Sequence, residues 1–286
     1  MDIFKSARTD LASEAHRMLK NGRNDLAPLP GLETEEEEKN GVSLFRVRVR
    51  DARGAKAIGK PVGSYCTLEA ERFFPRGDER FPALAETLAA EIRSMLGGAA
   101  GTTLVAGLGN REVTPDALGP AAARCVFPTR HLKASGHPLF EPFSEVAVCT
   151  PGVLAATGVE SARQIAALCR EIRPARVVVF DALAGADPAR LCRCVQLTDA
   201  GVAPGSGVGN DRAALSRESL GVPVLAIGVP TVVDAGCFGE EALRGWFVTP
   251  KDIDESLRCA ARLLGYALDL ALHPGLRVED VAALLE

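Results

Sequence analysis

The sequence predicts an α/β protein, a three-layer α/β/α arrangement around a mostly parallel central sheet, and three observations carry that expectation. From residue 102 short apolar runs alternate with helical patterns: strand 102 to 107, helix 115 to 124, strand 145 to 150, helix 159 to 172, strand 176 to 181. Arg176-Val177-Val178-Val179-Phe180 is almost continuously apolar, as a parallel strand covered on both faces must be. The chain has 286 residues, 47% hydrophobic and 24% charged, enough to fill a large core.

Residues 1 to 7 carry no periodic pattern, and Thr9 or Asp10 is placed to cap a short helix through Leu19. Residues 21 to 41 hold Gly22, Pro28, Pro30, Gly31, Gly41 and the acidic run Glu33 to Glu38, broken only by Thr34, which reads as a solvated loop. Val42 to Arg50 alternates with period two, placing Leu44, Arg46, Arg48 and Arg50 opposite Phe45, Val47 and Val49, the pattern of a half-buried strand. Residues 56 to 68 are its expected partner, an irregular edge strand given Gly59, Pro61 and Gly63, so the two form a small N-terminal β-hairpin extension.

Pro82 to Leu96 sets Ala85, Leu88, Ile92 and Met95 at helical spacing and closes on Gly97-Gly98. In the helix 159 to 172 the stripe is Ile165, Leu168, Cys169 and Ile172, with Pro174 beyond its end. Strands are expected at 192 to 198 and 223 to 228. The last long helix, 251 to 272, follows Thr249-Pro250 and aligns Ile253, Leu257, Ala260, Leu264, Ala267 and Ala271.

The net charge of −4 and the scattered basic residues give no footprint for direct nucleic-acid binding. No apolar run is long enough to span a membrane, and Met1-Asp2-Ile3-Phe4-Lys5 has no signal-peptide core, so a cytoplasmic protein is expected. The eight cysteines form no CxxC pair; they are expected to be buried, reduced thiols. No cofactor is expected. The P-loop lysine is absent, Gly107-Leu108-Gly109 lacks the third glycine of a dinucleotide fingerprint, and His16, His131, His137 and His273 fall in no HxxxH or HExxH spacing that would bind metal.

Two carboxylates stand out. Asp116 opens a helix just after the strand 102 to 107, and Asp181 directly follows the strand 176 to 180, so both are expected at the C-terminal rim where open α/β sheets build their sites. Aspartates at such places also serve as helix caps and turn formers. A close pair, however, pushes one pKa up and so supplies a base and an acid toward water and a carbonyl. The glycine-dense stretch Gly205-Ser206-Gly207-Val208-Gly209-Asn210 presents backbone amides that suit an oxyanion or a substrate carbonyl.

These strings occur in an order that is similar to the germination protease (spore protease) family: Gly107-Leu108-Gly109-Asn110, Val113-Thr114-Pro115-Asp116-Ala117-Leu118-Gly119-Pro120, Thr129-Arg130-His131-Leu132, Pro151-Gly152-Val153, Asp181-Ala182-Leu183-Ala184, Pro204 to Asn210, Ile227 to Ala235 and Val248-Thr249-Pro250-Lys251. Arg8-Thr9-Asp10-Leu11-Ala12 matches the family's N-terminal motif. The resemblance implies an endopeptidase that starts degradation of small acid-soluble spore proteins in the germinating spore core, made as a zymogen and assembled as a homotetramer. It implies a fold similar to the hydrogenase-maturation proteases, whose carboxylates at comparable strand ends bind nickel, and it puts the catalytic aspartates at Asp116 and Asp181.

Family substrates are cut after the acidic residue of sequences like Thr-Glu-Phe-Ala-Ser-Glu, and Thr9-Asp10-Leu11-Ala12-Ser13-Glu14 has the same layout. Self-processing between Asp10 and Leu11 is therefore expected, with residues 1–10 a propeptide and 11–286 one peptidase domain, its N-terminal part 11–98 and its catalytic core 99–286. Gly205, Ser206, Gly207, Asn210, Arg130 and His131 are the expected substrate-binding residues, with Lys133 a further basic candidate for reading the acidic side chain. Better-known members carry a long insertion where this chain has the short link Gly236 to Phe247. The alternatives are a metal-assisted maturation-type peptidase using the same carboxylates with His131, and a catalytically silent peptide-binding protein.

Overall fold

The computed structural model describes residues 9–22, 29–98, 100–205, 213–239 and 241–285. Helix α1 (Ala12–Asn21) leads into strands β1 (Leu32–Lys39) and β2 (Val42–Val49), helix α2 (Ala52–Ile58), strand β3 (Gly63–Glu69) and helix α3 (Phe81–Leu96). The alternating part follows as β4 (Thr103–Gly107), α4 (Leu118–Ala123), α5 (Arg130–Ala134), β5 (Val146–Cys149), α6 (Leu154–Thr157), α7 (Ser161–Ile172), β6 (Arg176–Gly185), β7 (Cys194–Thr198), α8 (Arg217–Leu220) and β8 (Val224–Asp234). Strand β9 (Phe247–Val248) and helices α9 (Ile253–Leu272) and α10 (Val278–Leu285) complete the described chain.

All nine strands join one sheet in the order β1-β2-β3-β7-β8-β6-β4-β5, with β9 added to β8. The expectation of a mostly parallel sheet is only partly met. Pairs β5–β4, β4–β6 and β6–β8 are parallel, whereas β8–β7, β7–β3, β3–β2, β2–β1 and β8–β9 are antiparallel. The N-terminal hairpin is thus no appendage, because β3 pairs with β7 and carries the sheet onward. Its two-faced burial explains why: Val42 and Leu44 pack in the large core with α3, while Val47 and Val49 pack under α1 and α2. Covered on both sides, β2 had to sit inside a larger sheet.

The acidic run is the clearest correction. It forms edge strand β1 rather than a loop, because its charges lie across from arginines: Glu33 pairs in register with Arg48 and Glu35 with Arg46. Arg46 bridges to Glu37 at 2.9 Å and to Glu35 at 3.8 Å, and Arg50 to Glu33 at 2.5 Å. Opposite charges across a strand pair stabilise it, and a charged edge discourages further strand addition. The turn is Asn40-Gly41 with φ of 51° and 74°, the two positive values that a tight hairpin needs. Residues 56–58, expected to begin a strand, instead end α2, which is started by the Asp51 side chain accepting from the amides of Arg53 and Gly54.

Helices α3, α4, α9 and α10 cover one face over the largest apolar cluster, and α7 covers the other face of the parallel half around Ile165, Val177 and Val179. Side chains such as Phe81, Leu88 and Ile92 are fully buried, each contributing about 1.5–3 kcal/mol. No disulfide links the described cysteines; Cys66, Cys169, Cys192 and Cys194 are buried and the other four are half-buried. Burial pushes the thiols of Cys66, Cys149 and Cys192 up to about 12. Among the described residues no helix is long and apolar enough to cross a membrane.

Candidate active site

Close packing of glycines sets Asp116. A side chain on Gly107 would strike the Gly119 carbonyl at 2.3 Å, and one on Gly119 would strike the carbonyls of Leu108 at 2.2 Å and Phe180 at 2.5 Å. The start of α4 therefore lies against the end of β4, and the single helical turn Thr114–Asp116 hangs over the sheet's rim. Within it the Asp116 carboxylate accepts from the Asn110 amide at 2.7 Å, and the Thr231 hydroxyl donates to the Pro115 carbonyl at 2.7 Å. The turn is thereby tied to both β4 and β8.

Asp181 does not leave the sheet as expected. Strand β6 continues to Gly185, because β8 keeps pairing with it after β4 has ended opposite Phe180. Asp181 is consequently an in-strand residue, 6% exposed, on the same face as Val177 and Val179. Its neighbour in register is Gly228 of β8, and Gly228 is in turn opposite Gln196 of β7. Asp181 and Gln196 thus share one face with a glycine between them, about 10 Å apart at two strand spacings.

Beside this row the helices of that face part, α7 lying to one side and α1 and α2 to the other. The gap is a cavity of about 790 Å³ whose lining includes Asp116, Asp181, Gln196, Lys60, Thr9 and Asp10. Both carboxylates reach one cavity, and the chain's own N-terminal segment lies in it. The Asp10 amide donates to the Ala184 carbonyl at 2.8 Å, and the Asp10 carboxylate accepts from the Ala184 amide at 2.9 Å. Gln196 spans the next peptide bond: its Nε2 donates to the Asp10 carbonyl at 2.9 Å while its Oε1 accepts from the Ala12 amide at 2.7 Å. Leu11 is fully buried against Leu183 and Cys194.

The residues around Asp10 are held by buried charge. Lys60 Nζ donates to the Thr9 carbonyl at 2.6 Å; burial lowers its pKa, opposed by Asp10 and Glu14. Glu14, 4% exposed, accepts from Thr9 Oγ1 and from the amides of Ala186 and Asp187, yet burial still raises its pKa. Arg190, 2% exposed, meets Glu69 through Nε at 3.1 Å and Nη2 at 2.6 Å and donates to Ser13 Oγ at 2.9 Å.

Of the remaining expected site residues, Gly205 lines the cavity, whereas Ser206, Gly207 and Asn210 lie outside the described residues. Arg130 and His131 stand on α5 and are not part of the lining; Arg130 pairs with Glu145 at 3.3 Å. Lys133 on the same helix donates to the Glu141 carbonyl at 2.9 Å. Among the described residues no group of three His, Cys, Asp or Glu side chains is arranged to hold a metal ion. Sequence reasoning missed Gln196 and Lys60. The former carried a signal, a lone amide between apolar neighbours in Cys194-Val195-Gln196-Leu197; the latter, in a Gly-Lys-Pro turn, carried none.

With this geometry in place, comparison with known proteins is decisive. The profile of the germination protease family matches residues 11–245. The chain belongs to the germination protease family. A germination protease of Caldanaerobacter subterraneus subsp. tengcongensis is 34% identical over the whole of both chains. One from Clostridium perfringens is 31% identical over 96% of this chain and 98% of its own. One from Bacillus mycoides is 40% identical over 82% of this chain, but the match spans only 65% of the Bacillus protein. The family is one of peptidases.

Proposed function

We propose that the chain is an endopeptidase that begins the breakdown of small acid-soluble spore proteins at germination, made as a zymogen that cuts itself between Asp10 and Leu11. One observation carries this reading: Asp10 lies in the same cavity as Asp116 and Asp181, held against β6 by both backbone groups of Ala184. An acidic residue before the cut is satisfied there by the Ala184 amide and by the nearby Lys60 cation. Residues 1–10 are the propeptide and 11–286 the peptidase domain in this account, and the working form is a homotetramer in the spore core.

Asp116 and Asp181 share the work. One carboxylate takes a proton from a water molecule, whose oxygen bonds to the Asp10 carbonyl carbon. The other, held protonated, gives its proton to the Leu11 nitrogen as the C–N bond breaks. One water is consumed, and the products are a chain ending at Asp10 and a new amine at Leu11. The Gly205 amide flanks substrate, in keeping with the place of Gly205 in the lining.

Incubating the purified chain with the peptide Thr-Glu-Phe-Ala-Ser-Glu tests the reading. Cleavage after the first glutamate, together with a mature chain beginning at Leu11, is expected. Binding of the peptide without cleavage would support a silent binding protein instead, and activity that chelators abolish would support the metal-assisted reading.

A further inference from the structure

We infer that Gln196 is a catalytic residue, the donor that holds the developing oxyanion of the Asp10 carbonyl; the inference rests on the reading that the Asp10–Leu11 bond is cut here. Three observations converge on it. The amide group of Gln196, 5% exposed, is anchored at both ends, with Oε1 on the Ala12 amide at 2.7 Å and Nε2 on the Asp10 carbonyl oxygen at 2.9 Å. That second oxygen is the one that gains charge when water adds to the carbonyl carbon and the C=O electron pair moves onto it. A fixed N–H aimed there from a water-poor site stabilises the transition state more than the ground state.

The register of the strands supplies the second observation. Asp181, Gly228 and Gln196 form one row across β6, β8 and β7, so the amide stands on the same face as the carboxylate. Gly228, with no side chain, makes room between them for the Leu183 side chain, which a Cβ there would strike at 2.6 Å. The third observation is the anchoring. Since Oε1 is already engaged by Ala12, the amide cannot flip without losing that bond, which fixes Nε2 toward the carbonyl rather than Oε1. The P1′ side chain, Leu11, is meanwhile held by Leu183 and Cys194 on the same face, so the bond cannot slide along the row.

The test is the first-order rate at which the intact chain becomes a chain beginning at Leu11, followed by mass spectrometry for wild type, Gln196→Met and Gln196→Glu. Met fills the same space with neither bond; Glu, assayed at neutral pH where it is ionised, keeps the acceptor for the Ala12 amide and puts a charge that repels the oxyanion in place of the donor. Both variants are expected to slow processing about 10²- to 10³-fold, the usual effect of removing one oxyanion donor, with thermal melting showing that they fold. Should the Met variant fail to fold, the Glu variant, which retains the anchor, decides alone. A Gln196→Glu rate within threefold of wild type would overturn the inference while leaving self-processing intact, and so would a folded Gln196→Met chain that processes at that rate. A wild-type chain that never yields a Leu11 terminus would overturn the underlying reading, and this inference with it.

Discussion

The parallel and antiparallel halves of the sheet are held together by different forces, and the cavity lies on the seam between them. In the parallel half, β5-β4-β6-β8, the strands are apolar on both faces and packed by α4, α7 and α9. In the antiparallel half Glu69 of β3 and Gln196 of β7, with Arg190 from the β6–β7 link, meet Ser13 and Glu14 of α1, nearly all of them buried. Apolar burial is non-directional and tolerant, while a buried ion network is worth keeping only when every member is satisfied. The first half is therefore suited to bear a rigid rim, and the second to grip one particular segment in one register.

The sharpest way to break this contrast is Arg190→Met. Removing the cation strands Glu69, Glu14 and Ser13, and a loss of about 3–5 kcal/mol is expected on urea unfolding, the usual cost of orphaning a buried charge. Adding Glu14→Gln to it should return part of the loss; full stability in Arg190→Met alone would show that the network holds nothing.

Acid response sharpens the comparison next. His273, buried at the end of α9 over the parallel half, has its pKa lowered to about 4 by burial, with Lys133 adding to the effect. Between pH 6.5 and 4 the unfolded chain takes up a proton that the folded chain refuses, so stability falls as pH drops through that window, by up to about 3 kcal/mol. Asp269 beside it, whose carboxyl burial raises well above the ordinary range, acts in the opposite sense, as does Glu14 in the other half. Melting temperatures of wild type and His273→Gln across pH 4 to 7 should converge toward acid, because the variant lacks the refused proton; parallel curves would contradict this.

Gly119→Ala is the smallest of the three in stability, at about 1–3 kcal/mol for an overpacked site. Its added carbon meets backbone carbonyls of Leu108 and Phe180, so α4 must lift from β4. Because that movement carries the turn bearing Asp116, cleavage should fall well beyond what the thermal shift accounts for.

Legibility in the sequence follows the same division. Strands β4, β6 and β8 and helices α3, α7 and α9 were readable from periodicity, because apolar packing writes itself into composition. That Asp116 and Asp181 come to one cavity was readable too, although Asp181 lies within β6 and not after it. The antiparallel half hid its order in pairings. Glu33 to Glu38 reads as a loop until the arginines of β2 stand opposite, although Asn40-Gly41 was a hairpin signal in plain view. The extension of β6 past Asp181 depends on β8 running alongside, which no local pattern records. Lys60 and Gln196 acquire meaning only from Thr9, Asp10 and Ala12, residues far away in the chain.

The central claim is that carboxylates from the parallel half cut a segment gripped by the antiparallel half. Incubating Asp116→Asn and Asp181→Asn chains beside wild type and sequencing their N-termini tests it most directly. Wild type should come to begin at Leu11, while each variant folds and stays uncut, with rates down about 10³-fold or more for loss of an acid or base. A Leu11 terminus appearing at the wild-type rate in either variant would contradict the account.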